Sequence, residues 1–131
     1  MRVMQADVER WSSLMPRDSA IVVLFLGDNI YPEGLHDATD PLFPEDSAKL
    51  QAQVDVVNGV QARQKGVRGI FIPGNHDWGQ TRGLEGIDRL KNQEEMLMRR
   101  RAEGSPVRPA ASSCTSARGT GETRVAGTSS S

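Results

Sequence analysis

The 131-residue sequence predicts an α/β domain, and three features carry that expectation. Two short apolar runs, Ala20–Leu26 and "RGIFIP" ending at Pro73, have the length and the Val, Ile and Phe content of buried strands. Segments whose apolar residues recur at helical spacing lie before, between and after them. Each run also leads into a glycine followed by acids, amides or a histidine, which is how strands end at the loop-bearing edge of a parallel sheet.

The first helix is expected from Met4, with Met4, Val8, Trp11 and Met15 on one stripe and assigned to the core. Pro16 stops it, and "PRDS" makes the turn. Ala20–Leu26 is seven consecutive apolar residues without alternation, which predicts a strand covered on both faces. A helix of that length would have fewer than two turns. Residues Asp28 to Phe43 form a loop studded with Pro, Gly and Asp. Pro44 or Ser47 opens the second helix, Leu50, Val54, Val57 and Val60 share its apolar face, and Gly66 closes it. "RGIFIP" is the second strand, and "GNHDWGQTRG" is the loop after it. The last helix runs from about Leu84 to Arg101, with Leu84, Ile87, Leu90 and Leu97 on one face. Glu85–Arg89 and Glu95–Arg99 are spaced as ion pairs along it.

Residues Gly104 to Ser131 have a different composition, rich in Ser, Thr, Gly and Ala, with Val107 and Val125 as their only sizeable apolar side chains. So little apolar surface cannot offset the entropy of ordering a chain, which predicts a disordered tail after a folded unit spanning 1–103. Sixteen Lys and Arg balance seventeen Asp and Glu, so charge indicates neither nucleic acid nor an anionic membrane as a partner. "MRRRAEG" reads as a solvated helix end that favours the helix dipole. The lone Cys114 excludes an internal disulfide and a multi-thiolate metal site. No secretory signal and no membrane-spanning run is visible, and neither the compartment nor the oligomeric state is legible.

The chemistry lies at the two strand ends. "GDNIY" supplies Asp28, Asn29 and Tyr31, and "GNHDW" supplies Asn75, His76 and Asp77. Gly27 and Gly74 precede these sets and permit close backbone approach. Carboxylate, phenolate, amide oxygen and imidazole all suit hard or borderline metals. Asp28 has two oxygens with which to bridge a pair of ions. Blander readings stand beside this one. Asp28 and Asn29 also suit a turn, Tyr31 a packed aromatic with a wet hydroxyl, Asn75 a left-handed turn position and His76 an ordinary surface site.

"GDNIY" followed by "GNHDW" resembles the second and third motifs of the calcineurin-like metallophosphoesterases. The Asp-x-x-Tyr spacing is closest to the purple acid phosphatase-like branch. The resemblance covers roughly Ala20 to Trp78. It implies hydrolysis of a small phosphate ester by a binuclear centre of Fe, Mn or Zn, within a sandwich of sheets flanked by helices. It implies Asp28 as the bridging ligand, Tyr31 on one ion and Asn75 on the other. His76 would face the phosphate, and Asn29, Asp77 and Trp78 would support the site. Water activated by the metals would be the nucleophile.

The family pattern also asks for an upstream aspartate at a strand end, a later lone histidine and a Gly-His-x-His. Only His36 and His76 occur here, and neither Asp7 nor Asp18 stands at the end of a strand. The resemblance therefore implies a partial domain without its first strand and second half, as a truncated or out-of-frame product would be. His36, in the loop after Tyr31, is a candidate substitute ligand. A catalytically inactive remnant, or a weak metal- or phosphate-binding module, is the alternative function. Coincidental motifs on a structural α/β domain are a third reading.

Overall fold

The computed structural model describes residues 2–80 and 83–110. Their order is α1 (Arg2–Ser13), β1 (Ile21–Leu26), α2 (Phe43–Gln61), β2 (Val67–Ile72), α3 (Leu84–Ala102) and β3 (Val107–Pro109). The three strands form one parallel sheet in the order β1-β2-β3, flanked by helices. Ile21 pairs with Val67 and Leu26 with Ile72, so β1 and β2 run in register along their whole length and finish at the same edge. That shared finish places the two loops side by side.

The core lies between this sheet and the helices. Leu50, Val54, Val57 and Val60 form the buried face of α2, as their spacing predicts, and meet Phe25, Val67, Phe71, Leu97 and Val107. Phe25 and Phe71 stack with ring centroids 4.2 Å apart. A Cβ on Gly69 would crowd Val57, so the glycine lets α2 settle against β2. The helix begins at Phe43 with Pro44 in its first turn, and Leu42 takes a 2.8 Å bond from its backbone N–H to Asp40 Oδ1. It ends at Gln61, earlier than Gly66, which instead packs against Ser19 in the turn that starts β2. No helix among the described residues is long and apolar enough to cross a membrane.

Four expectations are corrected. The sheet is covered on one face only: Val22, Leu24 and Leu26 are 54%, 52% and 76% exposed, while Phe25 is buried. An unbroken apolar run therefore did not mean two covered faces, because the core-forming helices pack on one side. Trp11 and Met15 are exposed, and Met98 and Leu84 with them. The contact row of α1 is Met4, Val8 and the buried Ser12, whose carbonyl accepts from Gln64, and Trp11 lies about 60° round the helix from Val8, on the open side of that row. Met15 falls beyond the helix end. Residues Gly104 to Ala110 are ordered, with Val107 fully buried and β3 paired to Gly69–Phe71. The rest of the expected tail, 111–131, lies outside the described residues. Finally, Arg89 does not pair with Glu85 but reaches the first loop, and Glu95–Arg99 is not among the ion pairs of the described residues.

Candidate functional site

Two loops meet at the common edge of β1 and β2. Gly27 and Gly74 are back to back: a Cβ on Gly27 would lie 3.0 Å from the Gly74 Cα, and one on Gly74 would overlap the Asp28 carboxylate. Gly27 has φ 96° and Asp28 has φ 50°, so the chain turns sharply through the left-handed region as it leaves β1. Asp tolerates that region better than most residues with a Cβ. The turn aims the Asp28 carboxylate across the junction, where Oδ1 accepts the His76 backbone N–H at 3.1 Å.

Asp77 ties the loops together. It is fully buried, and its carboxylate accepts four N–H groups. Oδ2 takes the Asn29 backbone N–H (3.1 Å), the Asn29 side-chain amide (3.2 Å) and the Gly74 N–H (2.8 Å), and Oδ1 takes the Ile30 N–H (2.9 Å). Asn29 also donates to the Ile72 carbonyl at 2.9 Å, and its own carbonyl accepts from Gln53 of α2 at 2.6 Å. Asn29 and Asp77 are thus both buried, and together they fasten the first loop to the second. Their chemistry is spent on each other.

The other predicted residues stand outside this clamp. Asp28, Tyr31 and Asn75 are exposed, and His76 is half-buried. The Tyr31 ring tilts over the His76 imidazole with centroids 4.3 Å apart. His76 Nδ1 lies 2.7 Å from the Pro32 carbonyl oxygen, which can only accept, so Nδ1 carries the proton. The Gln80 amide nitrogen lies 2.8 Å from the same nitrogen and 3.4 Å from Nε2, so Gln80 rests against the edge of the ring.

His36 is not brought into the site as a ligand. Arg89 donates to its Nε2 at 2.9 Å, so Nδ1 bears the proton and donates to the buried Asp46 at 2.6 Å. Both ring nitrogens are consumed in fastening the first loop to α2 and α3. Arg89 also donates to the Glu33 carbonyl at 2.6 Å, and Lys49 to that of Tyr31 at 2.9 Å. Lys49 pairs with Glu45 one turn earlier. Its hydrogen bond and its charge hold the Glu45 carboxyl below the usual carboxylate range, and the same hydrogen bond raises Lys49.

Pro32, Gln53, Lys49, Gln80 and Arg89 were not foreseen as supports of the site. Their contacts reach between separate elements or use backbone carbonyls, and neither leaves a motif. Asp28, Tyr31 and Asn75 offer three kinds of oxygen donor suited to a hard cation. Among the described residues, no group of three or more His, Cys, Asp and Glu side chains could hold a metal ion. No family model, curated protein or solved structure matches this chain.

Proposed function

We propose that the two loops form a phosphate-ester hydrolysis site of the calcineurin-like metallophosphoesterase type, carried on a partial version of that fold's sandwich. The observation that supports this reading is the clamp at Asp77. It accompanies a hydrogen bond from the His76 backbone N–H to the Asp28 carboxylate, which joins the two loops although 48 residues separate these positions. The donor chemistry fits a hard or borderline metal: Asp28, Tyr31 and Asn75 would hold it. When bound, such ions polarise phosphoryl oxygens and lower the pKa of bound water. The chain's own contribution is orientation and proton handling. Pro32 holds the Nδ1 side of His76, which leaves Nε2 as the nitrogen that would exchange a proton with the departing oxygen. The Tyr31 ring limits how far that imidazole can swing.

The shortage of ligand groups favours a second reading, a weak metal- or phosphate-binding module without turnover. Aryl phosphate hydrolysis with added Mn, Fe or Zn, beside calorimetric titration of the same metals, separates the two. Hydrolysis that falls at least tenfold in His76→Ala while metal binding persists supports the enzyme. Metal binding abolished by Asp28→Ala, with no turnover in the wild type, supports the module. Metal binding and hydrolysis that both ignore Asp28 and His76 would sink both readings.

A further inference from the structure

β1 is the outer strand of the sheet on one side and β3 on the other, and the two edges differ. β3 is three residues long and ends in Pro109, which has no N–H, so it is a poor template for a further strand. β1 is six residues long, and "IVVLFL" contains no charge and no proline. Its pairing with β2 runs without a bulge from Ile21 to Leu26. The devices by which proteins blunt a free edge are therefore missing from β1.

The register fixes what that edge presents. The Ile21 N–H bonds to the Gly66 carbonyl, so Ile21, Val23 and Phe25 direct their backbone groups at β2. Val22, Leu24 and Leu26 alternate with them and direct N–H and C=O outward, where no strand among the described residues receives them. The same three residues carry the exposed side chains of the open face. This set is symmetrical about Leu24. An antiparallel copy of β1 centred there would pair Leu24 with the other copy's Leu24, and Val22 with the other copy's Leu26, exchanging two hydrogen bonds in each pair. The exposed apolar side chains would meet across the join, and Asp28 would stand opposite Ala20 instead of a like charge. The sequence 111–131 is a poorer match for this edge, being mostly Ser, Thr, Gly and Ala with Val125 its one branched apolar residue.

We propose that the β1 edge is a self-association surface, where two copies of this chain join β1 to β1 antiparallel, as strands add to an exposed sheet edge. The outer edges of the joined sheet are then the blunted β3 strands, so association closes at a two-fold dimer. The proposal is independent of the phosphate-ester reading and goes beyond it.

The test is sedimentation velocity of the full chain from about 10 µM to about 1 mM, with amide exchange followed over the same range. The mean mass should rise towards twice that of the monomer. The amides of Val22, Leu24 and Leu26 should exchange more slowly as concentration rises. Leu24→Pro deletes an outward N–H and leaves the bonds to β2 in place, so it should weaken the dimer at least tenfold. Leu24→Lys sets two like charges opposite each other at the dyad and should weaken it similarly, and it serves alone if the proline variant does not fold. A chain that stays monomeric at about 1 mM would overturn the proposal. A dimer that survives both substitutions, or growth beyond the dimer, would overturn it as well. A dimer that Leu24→Lys disrupts while the three outward amides gain no protection would mean sheets stacked face to face, and would overturn edge pairing.

Discussion

Replacing Asp77 with alanine should destabilise the chain more than any other change at the loop junction. The carboxylate accepts four N–H groups, from Asn29 (backbone and side chain), Ile30 and Gly74. Hydrogen bonds to a charged acceptor contribute about 1.5–3 kcal/mol each, so the gross loss is roughly 6–12 kcal/mol. Water can reach the partly buried Gly74 N–H and recover some of it. The net cost is then about 3–5 kcal/mol, comparable to breaking a buried ion pair, against a total stability of about 5–15 kcal/mol for a typical domain. Asp77→Asn separates charge from geometry. Its amide oxygen can still receive the three donors that converge on Oδ2, while its NH2 confronts the Ile30 N–H, for a cost of about 1–3 kcal/mol. Urea unfolding measures both. With a slope of about 1–3 kcal/mol per molar, the alanine variant should lose more than about 1 M in midpoint, and the asparagine variant about half as much as the alanine variant. Amide exchange should quicken first at Asn29, Ile30 and Gly74. An alanine variant within about 0.5 kcal/mol of wild type, or an asparagine variant equally damaged, would refute the account of the clamp.

Gly74→Ala should cost about 1–3 kcal/mol and weaken any metal binding at Asp28, because the new methyl would collide with that carboxylate; calorimetry and urea unfolding read both effects. Phe25→Ala should cost about 3–5 kcal/mol whereas its neighbour Leu24→Thr should cost under about 1 kcal/mol, and similar midpoints for the two would contradict a sheet covered on one face. Lys49→Met should bring the Glu45 pKa back up towards 4.5 in an NMR titration. Because the folded pKa is depressed, the pair's small contribution is present above the unfolded value and fades as pH falls through the folded one, so acid should narrow the difference between wild type and Lys49→Met.

The elements were legible where a local pattern and a tertiary contact coincide. The α2 face of Leu50, Val54, Val57 and Val60 is all core, because a helix laid along a sheet must bury one stripe. The bounds of α3 were legible too, from Leu84 to the end of its arginine run. β3 was not. Three residues that include a proline carry no periodicity, and their order comes from the ladder to β2 and from Val107 entering a core built by distant residues. The same blindness hid the open sheet face. An apolar run states that side chains avoid water in some assembled form, not how many layers of this chain cover them. The Trp11 stripe failed because helical spacing fixes which residues are neighbours on a helix, while the rotation of that helix is decided by what it meets. Here that is Gln64 gripping the carbonyl of Ser12.

The candidate site divides along a related line. Residue types that could do chemistry were visible because glycine, acid, amide and histidine at a strand end form a compact signal. Which of them remain available depends on hydrogen bonding, and that is not local. Asp77 and Asn29 look as reactive in sequence as Asp28 and Asn75, yet the first pair is buried and mutually satisfied and the second is exposed. The two histidines diverge in the same way. His36 is held at both nitrogens by Asp46 and Arg89, so protonation there would cost a hydrogen bond from Arg89. His76 is held at Nδ1 by the Pro32 carbonyl, a contact that survives when the ring gains a second proton. A group that must take up and release a proton beside a substrate needs that asymmetry, with one nitrogen anchored in every state and the other free to change. Of the two, His76 comes nearer to it, with Nδ1 on the Pro32 carbonyl and Nε2 meeting the Gln80 amide only at 3.4 Å, which makes it the residue on which the hydrolytic reading stands or falls.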